Sequence, residues 1–284
     1  MRKSLFVVTV VVALLAVVVI PVAAITNGTP DGTNHPYVGL VVFHDEKGVP
    51  LWRCSGSLIS PTVFLTAGHC TEDPAAAAVV WFDQGPVPRG NLPTTPGTSC
   101  VGYTGYPCTG DASGVPFSNP DFCIGCGNGL PGFATRDVGV VVLSAPVPDT
   151  TVSRLAQLPS PGLVDTLRNK TKVDFVGYGV QFQISGKGGI PPQARWAGPR
   201  QRMYAPSEIV SGSFVHSDEF IRFALNSSQG SGGTCFGDSG GPDLLAGTDT
   251  VLAVNSYVTN SNCSGVGYSQ RVDIQEVLDW INGF

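Results

Sequence analysis

Charge is scarce in this chain: of its 284 residues only 13 % are Asp, Glu, Lys or Arg. The 16 basic residues are scattered and are outnumbered by 21 acidic ones. No basic stripe or cluster exists, so nucleic acid and anionic membranes are not expected as partners. Beyond Ala24 no apolar run is long enough to cross a bilayer as a helix. No segment repeats with a period of about 20–50 residues, which excludes solenoids and propellers. Acidic residues are not clustered as a calcium loop requires. Neither a metal nor another cofactor is expected.

What the chain does have is apolar residues (42 %), 36 Gly and 23 Pro. This composition is globular and rich in turns, and it suits an all-β protein. The length allows one large domain or two barrels sharing an interface. Residues 1–24 read as a secretory signal peptide. Arg2 and Lys3 give a positive start, Leu5 to Ile20 is apolar, and Pro21-Val22-Ala23-Ala24 ends in small residues. Without Arg2 and Lys3, 14 basic residues face 21 acidic ones, a net charge of −7. A secreted, extracellular protein is expected, with no membrane attachment after signal cleavage. Its eight cysteines then imply disulfides.

Strand-like runs bounded by turn residues recur at Tyr37 to His44, Ser57 to Leu65, Val138 to Leu143, Val173 to Tyr178, Phe220 to Ala224 and Val251 to Val258. Residues 85–131 are rich in Gly, Pro and Cys and show no clear periodicity, so they read as an inserted, cross-linked surface region. Near the C-terminus Ile274, Val277, Leu278 and Ile281 follow helical spacing, and Asp273 and Glu276 have the spacing of a cap.

Two segments carry chemistry. Gly237-Asp238-Ser239-Gly240-Gly241-Pro242 offers a serine in a glycine-rich turn, and Leu65-Thr66-Ala67-Gly68-His69-Cys70 offers a histidine after an apolar strand. A serine hydroxyl is a poor nucleophile until a base accepts its proton. Gly237-Asp238-Ser239-Gly240-Gly241 also satisfies the G-x-S-x-G elbow of esterases and lipases, but that fold needs its histidine after the serine. The four histidines, His35, His44, His69 and His216, all precede Ser239. The order His, Asp, Ser remains. Asp137 directly precedes an apolar strand, where an acid is costly without a partner. The rivals Asp83, Asp111 and Asp121 lie in turn-rich stretches.

On these residues the chain resembles the trypsin/chymotrypsin family of serine peptidases, in a secreted, bacterial-type form, from about Ile25 to the C-terminus. The resemblance implies an all-β fold of two antiparallel six-stranded β-barrels (chymotrypsin-like) with a C-terminal α-helix. The N-terminal barrel would be residues 25–152, carrying His69 and Asp137, and the C-terminal barrel 153–284, carrying Ser239. The stretch from Pro146 to Pro161 would link them. It implies a serine endopeptidase acting as a monomer on protein or peptide substrates through an acyl-enzyme. His69, Asp137 and Ser239 would be catalytic, with the N–H groups of Gly237 and Ser239 as the oxyanion hole. Asp238 would pair with a freed amine at Ile25. Gly233, Thr234, Ser256, Tyr257 and Val258 would contact substrate. Gly233 stands where trypsin-like members carry an aspartate, so side chains before the cut are expected to be non-basic, small or medium and apolar. The disulfides implied are Cys54 with Cys70 and Cys235 with Cys263, each contributing about 3 kcal/mol. Cys100, Cys108, Cys123 and Cys126 allow three pairings. The CxxC at Cys123 to Cys126 reads as structural, because zinc sites usually combine two such units. The alternative is a catalytically silent binding protein on the same fold.

Overall fold

The computed structural model describes residues 25–26, 28–91, 95, 97–126, 134–183, 196–210, 219–226 and 232–284. The expected leader at 1–24 lies outside the described residues, as does His216. Strand β1 (Thr29–Pro30) is followed by β2 (Val38–His44), β3 (Pro50–Ser60), β4 (Val63–Thr66), the single helical turn α1 (Gly68–Thr71), β5 (Ala77–Trp81), β6 (Ala112–Ser118), β7 (Cys123–Ile124), β8 (Ala134–Thr135) and β9 (Gly139–Leu143). A 3-10 turn at Leu163–Thr166 leads to β10 (Lys172–Gly177), β11 (Phe182–Gln183), β12 (Trp196–Ala197), β13 (Met203–Glu208), β14 (Phe220–Ala224), β15 (Pro242–Leu245), β16 (Val251–Val258), β17 (Val266–Arg271) and α2 (Gln275–Ile281).

The chain is all-β with two curled sheets. Strands β2-β3-β4-β9-β6-β5 close into a barrel, every described pairing antiparallel. The second sheet runs β1-β13-β10-β15-β16-β17-β14. Its six long strands curl until β13 and β14 meet through one bridge, Ile209 to Phe223. The N-terminal strand β1 belongs to this second sheet, pairing with β13, so the chain crosses to the far half before building the first barrel. The segment expected as a linker touches both halves: Ala156 N–H donates to Leu58 O, and Gln157 N–H to Asp249 O.

Valine and isoleucine suit these strands because a branched side chain fits a pleated, buried surface. Burying roughly 25 cal/mol per Å² of apolar area holds both halves together. One cluster fills the first barrel and continues into Leu244, Val251 and Val254 of the second sheet. Helix α2 buries Val277, Leu278 and Ile281 in that same cluster.

Three sequence readings need correction. Ser57 to Leu65 is not one strand: Pro61 and Thr62 turn it into the β3–β4 hairpin. The expected insertion 85–131 contains β6, an integral barrel strand. Its pattern is inverted, with Gly114 and Pro116 inward and Val115 and Phe117 outward. Phe117 meets Phe284 at 5.3 Å, and a side chain at 114 would collide with the Val142 backbone. Alternation was therefore present, but with the apolar residues on the outer face. Finally, Asp273 does not cap α2. Its carboxylate is taken by Val164 N–H at 2.8 Å and by Arg271 at 2.9 and 3.0 Å.

All eight cysteines are paired: Cys54–Cys70, Cys100–Cys108, Cys123–Cys126 and Cys235–Cys263.

Candidate active site

His69 sits in α1, the turn that follows β4. The Cys54–Cys70 disulfide ties this turn to β3, and Trp52 Nε1 donates to Cys70 O at 2.8 Å. Gly68 is closely packed, since a Cβ there would stand 3.0 Å from the Phe122 ring and 3.1 Å from Val138 N. Cys54, His69 and Cys70 lie close enough to suggest a metal site, but the two sulfurs are bonded to each other.

Asp137 enters just before β9, after a strained turn. Arg136 has φ +50°, in the left-handed region, and Val138 N–H closes on Arg136 O at 2.7 Å. The Asp137 side chain is fully buried. An unpaired carboxylate there would cost several kcal/mol, on the order of 5 or more. It is instead surrounded by donors. His69 Nδ1 lies 2.9 and 3.1 Å from its two oxygens, His69 N–H donates at 2.8 Å, and the Ser256 hydroxyl donates as well. These bonds outweigh desolvation and hold the Asp137 carboxyl below the usual range. For His69, burial acts to lower its pKa, but the charge and hydrogen bond of Asp137 win and leave it raised. Asp83, Asp111 and Asp121 are all exposed.

The backbone of Asp137 is held from the second sheet. Its N–H donates to Gln270 Oε1 at 2.9 Å, and Gln270 Nε2 donates to Glu219 O and Oε2 at 2.9 and 3.0 Å. Arg136 Nη1 stands 3.1 Å from Glu219 Oε1, an ion-pair contact without hydrogen-bond geometry. Neither Gln270 nor the partnership of Ser256 with Asp137 was foreseen. The resemblance assigns Ser256 a contact with substrate; the structure adds its bond to Asp137.

Ser239 lies in the turn before β15. Gly240 N–H donates to Asn255 O at 2.7 Å, and Ser55 N–H donates to Ser239 O at 2.8 Å. A side chain at Gly240 would collide with the Thr66 hydroxyl and Ala67 N, so this turn lies directly against the segment leading into His69. Gly237 has φ +95°, a conformation glycine adopts without strain. Among the described residues, the N–H groups of Gly237 and Ser239 and the Ser239 hydroxyl make no hydrogen bonds.

Asp238 is buried behind this turn. Gly179 N–H donates to its Oδ1 at 2.8 Å and Cys235 N–H to its Oδ2 at 2.9 Å. Desolvation outweighs these bonds and pushes its carboxyl up to about 7. Ile25 is buried in the core of the second sheet, and Thr26 bridges Gly233. The described hydrogen bonds do not join Ile25 to Asp238.

A cleft of about 510 Å³ is lined by Cys235, Phe236, Ser239 and residues 255–259, which include Ser256, Tyr257 and Val258. Tyr257 stacks on Tyr268 with ring centres 5.1 Å apart, stiffening one wall. Gly233 and Thr234 are buried and not among the lining residues. Gly233 is held by backbone pairing: its N–H donates to Thr26 O at 2.9 Å, and a Cβ at 233 would come within 2.8 Å of Thr26 Oγ1.

A profile of the family described as Trypsin matches residues 25–281. Chymotrypsin-like elastase family member 3B of Macaca mulatta is 28 % identical over 285 residues, covering 92 % of this chain and 93 % of that protein. Chymotrypsin-like elastase family member 3A of Homo sapiens is 26 % identical over 250 residues, covering 84 % and 80 %. The solved structure of HL collagenase superposes with a TM-score of 0.63 at 18 % identity, over 90 % of this chain and 96 % of that one. Human heparin binding protein superposes with a TM-score of 0.59 at 17 % identity, over 91 % and 95 %. At such identities the two superpositions speak for the fold alone.

Proposed function

This chain belongs to the trypsin family of serine endopeptidases, and on that premise we propose that it is a secreted enzyme with Ser239, His69 and Asp137 as its catalytic triad. The observation that carries this reading is the pair of half-buried His69 and fully buried Asp137, set beside the turn that presents Ser239 to the cleft. His69 Nε2 takes the Ser239 proton as Oγ bonds to the scissile carbonyl carbon. The N–H groups of Gly237 and Ser239 receive the charge that develops on the carbonyl oxygen, each worth about 3 kcal/mol in such a site. His69 then returns the proton to the amine nitrogen as the C–N bond breaks. A water, deprotonated by His69, hydrolyses the acyl-enzyme. Asp137 holds the imidazole in the required tautomer and stabilises the imidazolium.

The substrates are proteins or peptides. Phe236, Tyr257 and Val258 in the cleft, and the absence of an acid among its described lining residues, support small or medium apolar side chains before the cut. Residues 256–258 would pair with the substrate backbone as an added strand. Peptide-library profiling of the secreted protein against Ser239→Ala tests activity, nucleophile and preference together. Efficient cleavage after Lys or Arg overturns the preference. The competing idea, a silent binding protein that acts outside the cell, predicts no labelling of Ser239 by a fluorophosphonate.

Signal removal after Ala24 would free the Ile25 amine to pair with Asp238, with no separate pro-segment. Burial of Ile25 and of an Asp238 that has no ion-pair partner among the described residues supports this. In the uncut chain a carboxyl raised from 3.8 to about 7 costs stability as pH rises through that window. In the cut chain the paired amine, raised above its free value of about 7.7–8.0, gives stability that is lost only at more alkaline pH. Thermal melts of the two forms between pH 5 and 8 should therefore diverge, with the uncut form falling. Edman sequencing of the secreted protein must start at Ile25, and any other start ends this part of the proposal.

A further inference from the structure

The turn carrying Ser239 owes its shape to its carbonyls. Four consecutive ones are held: Phe236 O by Val180 N–H at 2.9 Å, Gly237 O by the Ser55 hydroxyl at 2.9 Å, Asp238 O by Gly241 N–H at 2.8 Å and Ser239 O by Ser55 N–H at 2.8 Å. Fixing a carbonyl fixes its whole peptide plane, because the peptide unit is flat. With these four planes set, the N–H groups of Gly237 and Ser239 are left over and stay in one arrangement. Three of the four donors are backbone groups, which any sequence supplies. The fourth is the one side chain in the set, Ser55 Oγ.

Ser55 belongs to β3 of the first barrel, next to Cys54, and is fully buried. Its hydroxyl is fully employed, accepting from Tyr178 N–H at 2.9 Å while donating to Gly237 O. Its own carbonyl accepts the Thr66 hydroxyl at 2.8 Å. One residue thus joins the strand before His69, the end of β10 and the Ser239 turn. The Gly237–Asp238 peptide unit is held at both ends, by Ser55 Oγ on Gly237 O and by Asp238 N–H donating to Cys235 O at 3.0 Å, and it follows Gly237, which at φ +95° has no side chain to restrict rotation.

We propose that the Ser55 hydroxyl is a positioning residue for the oxyanion donors: it holds the Gly237–Asp238 peptide unit, which joins the two units carrying the Gly237 and Ser239 N–H groups, so that both face the developing charge. This rests on the reading of Gly237 and Ser239 as the oxyanion hole. Ser55 touches neither substrate nor the reacting atoms, so its loss acts on the transition state and leaves ground-state binding alone.

The test is Ser55→Ala, with rates referred to active sites counted by burst titration, so that any unfolded fraction drops out. The expected result is a fall in kcat on the order of 10-fold, from loss of the hydroxyl's buried hydrogen bonds to Gly237 O and Tyr178 N–H, with KM unchanged. Affinity for a peptide aldehyde, whose adduct places an oxyanion in the same spot, falls by the same factor. Ser57→Ala is the control: Ser57 is equally buried two residues along, and its hydroxyl has no hydrogen-bond partner among the described residues. It should leave kcat and aldehyde affinity at parental values. A Ser55→Ala enzyme with kcat within about twofold of parent, or one that loses KM while keeping aldehyde affinity, overturns the proposal. Ser239→Ala run alongside separates the two claims. If that variant still turns over peptides, the triad reading fails; if it is inert while Ser55→Ala is normal, only the role of Ser55 fails.

Discussion

The two halves of the proposed site are made of different materials. On one side, His69 and Asp137 work through side chains: the Asp137 carboxylate accepts from His69 and from Ser256 of the second sheet, and its own N–H donates to Gln270 Oε1. On the other, Ser239 offers one side-chain atom, and its surroundings are peptide groups held by other peptide groups and by the Ser55 hydroxyl. The first half depends on residue identity and tolerates little chemical change. The second depends on backbone conformation, which is why glycines dominate it.

The largest effect should come from chemical change on the side-chain half. Asp137→Asn keeps the shape but offers His69 Nδ1 an amide in place of a carboxylate. The wrong tautomer is then stabilised, and kcat should fall about 10⁴-fold with substrate affinity retained. Steady-state kinetics would check this, and a fall under tenfold would mean that Asp137 is not the orienting acid.

The matching change on the backbone half is Gly237→Ala. It adds one methyl and removes no functional group, yet alanine disfavours φ +95°, and its Cβ would stand 3.2 Å from Gly179 Cα. The peptide must turn, and an oxyanion donor turns with it. A loss of about 10²–10³ in kcat is expected, with fluorophosphonate labelling slowed in proportion. Unchanged kcat would erase the distinction between the halves, since conformation would then carry no catalytic weight.

The same distinction explains what could be read from the sequence. His69, Asp137 and Ser239 announce themselves by chemical type and order in the chain, the strands β2, β9 and β16 by their branched residues, and β14 by its aromatic and branched ones. Hidden features were of two kinds. β6 turns Val115 and Phe117 outward, so its hydrophobic pattern points away from the barrel it completes. Ser55, Gln270 and the hydroxyl of Ser256 act through hydrogen bonds between residues 119 to 182 positions apart. No local pattern marks a serine whose partner comes from the other sheet. The pairing of Gly233 with Thr26 was invisible for the same reason.

The smallest effect probes the seam between the halves. Ser256 lines the cleft beside Ser239 and also donates its hydroxyl to Asp137. Ser256→Ala removes one donor from a buried carboxylate that keeps His69 N–H and Nδ1, so kcat/KM should fall on the order of 10-fold or less. The direction of the pH profile is the sharper readout. Asp137 already raises His69 above 6.5, so the acid limb of kcat/KM in the parent enzyme should lie above that value. Without the competing hydroxyl the carboxylate leans more fully on His69, and the imidazolium becomes more stable. Its pKa rises further, and the limb moves to higher pH. A limb that stays in place would assign Ser256 to substrate contact alone, and one that moves down would mean that the hydroxyl supports the His69–Asp137 pair and does not compete with it.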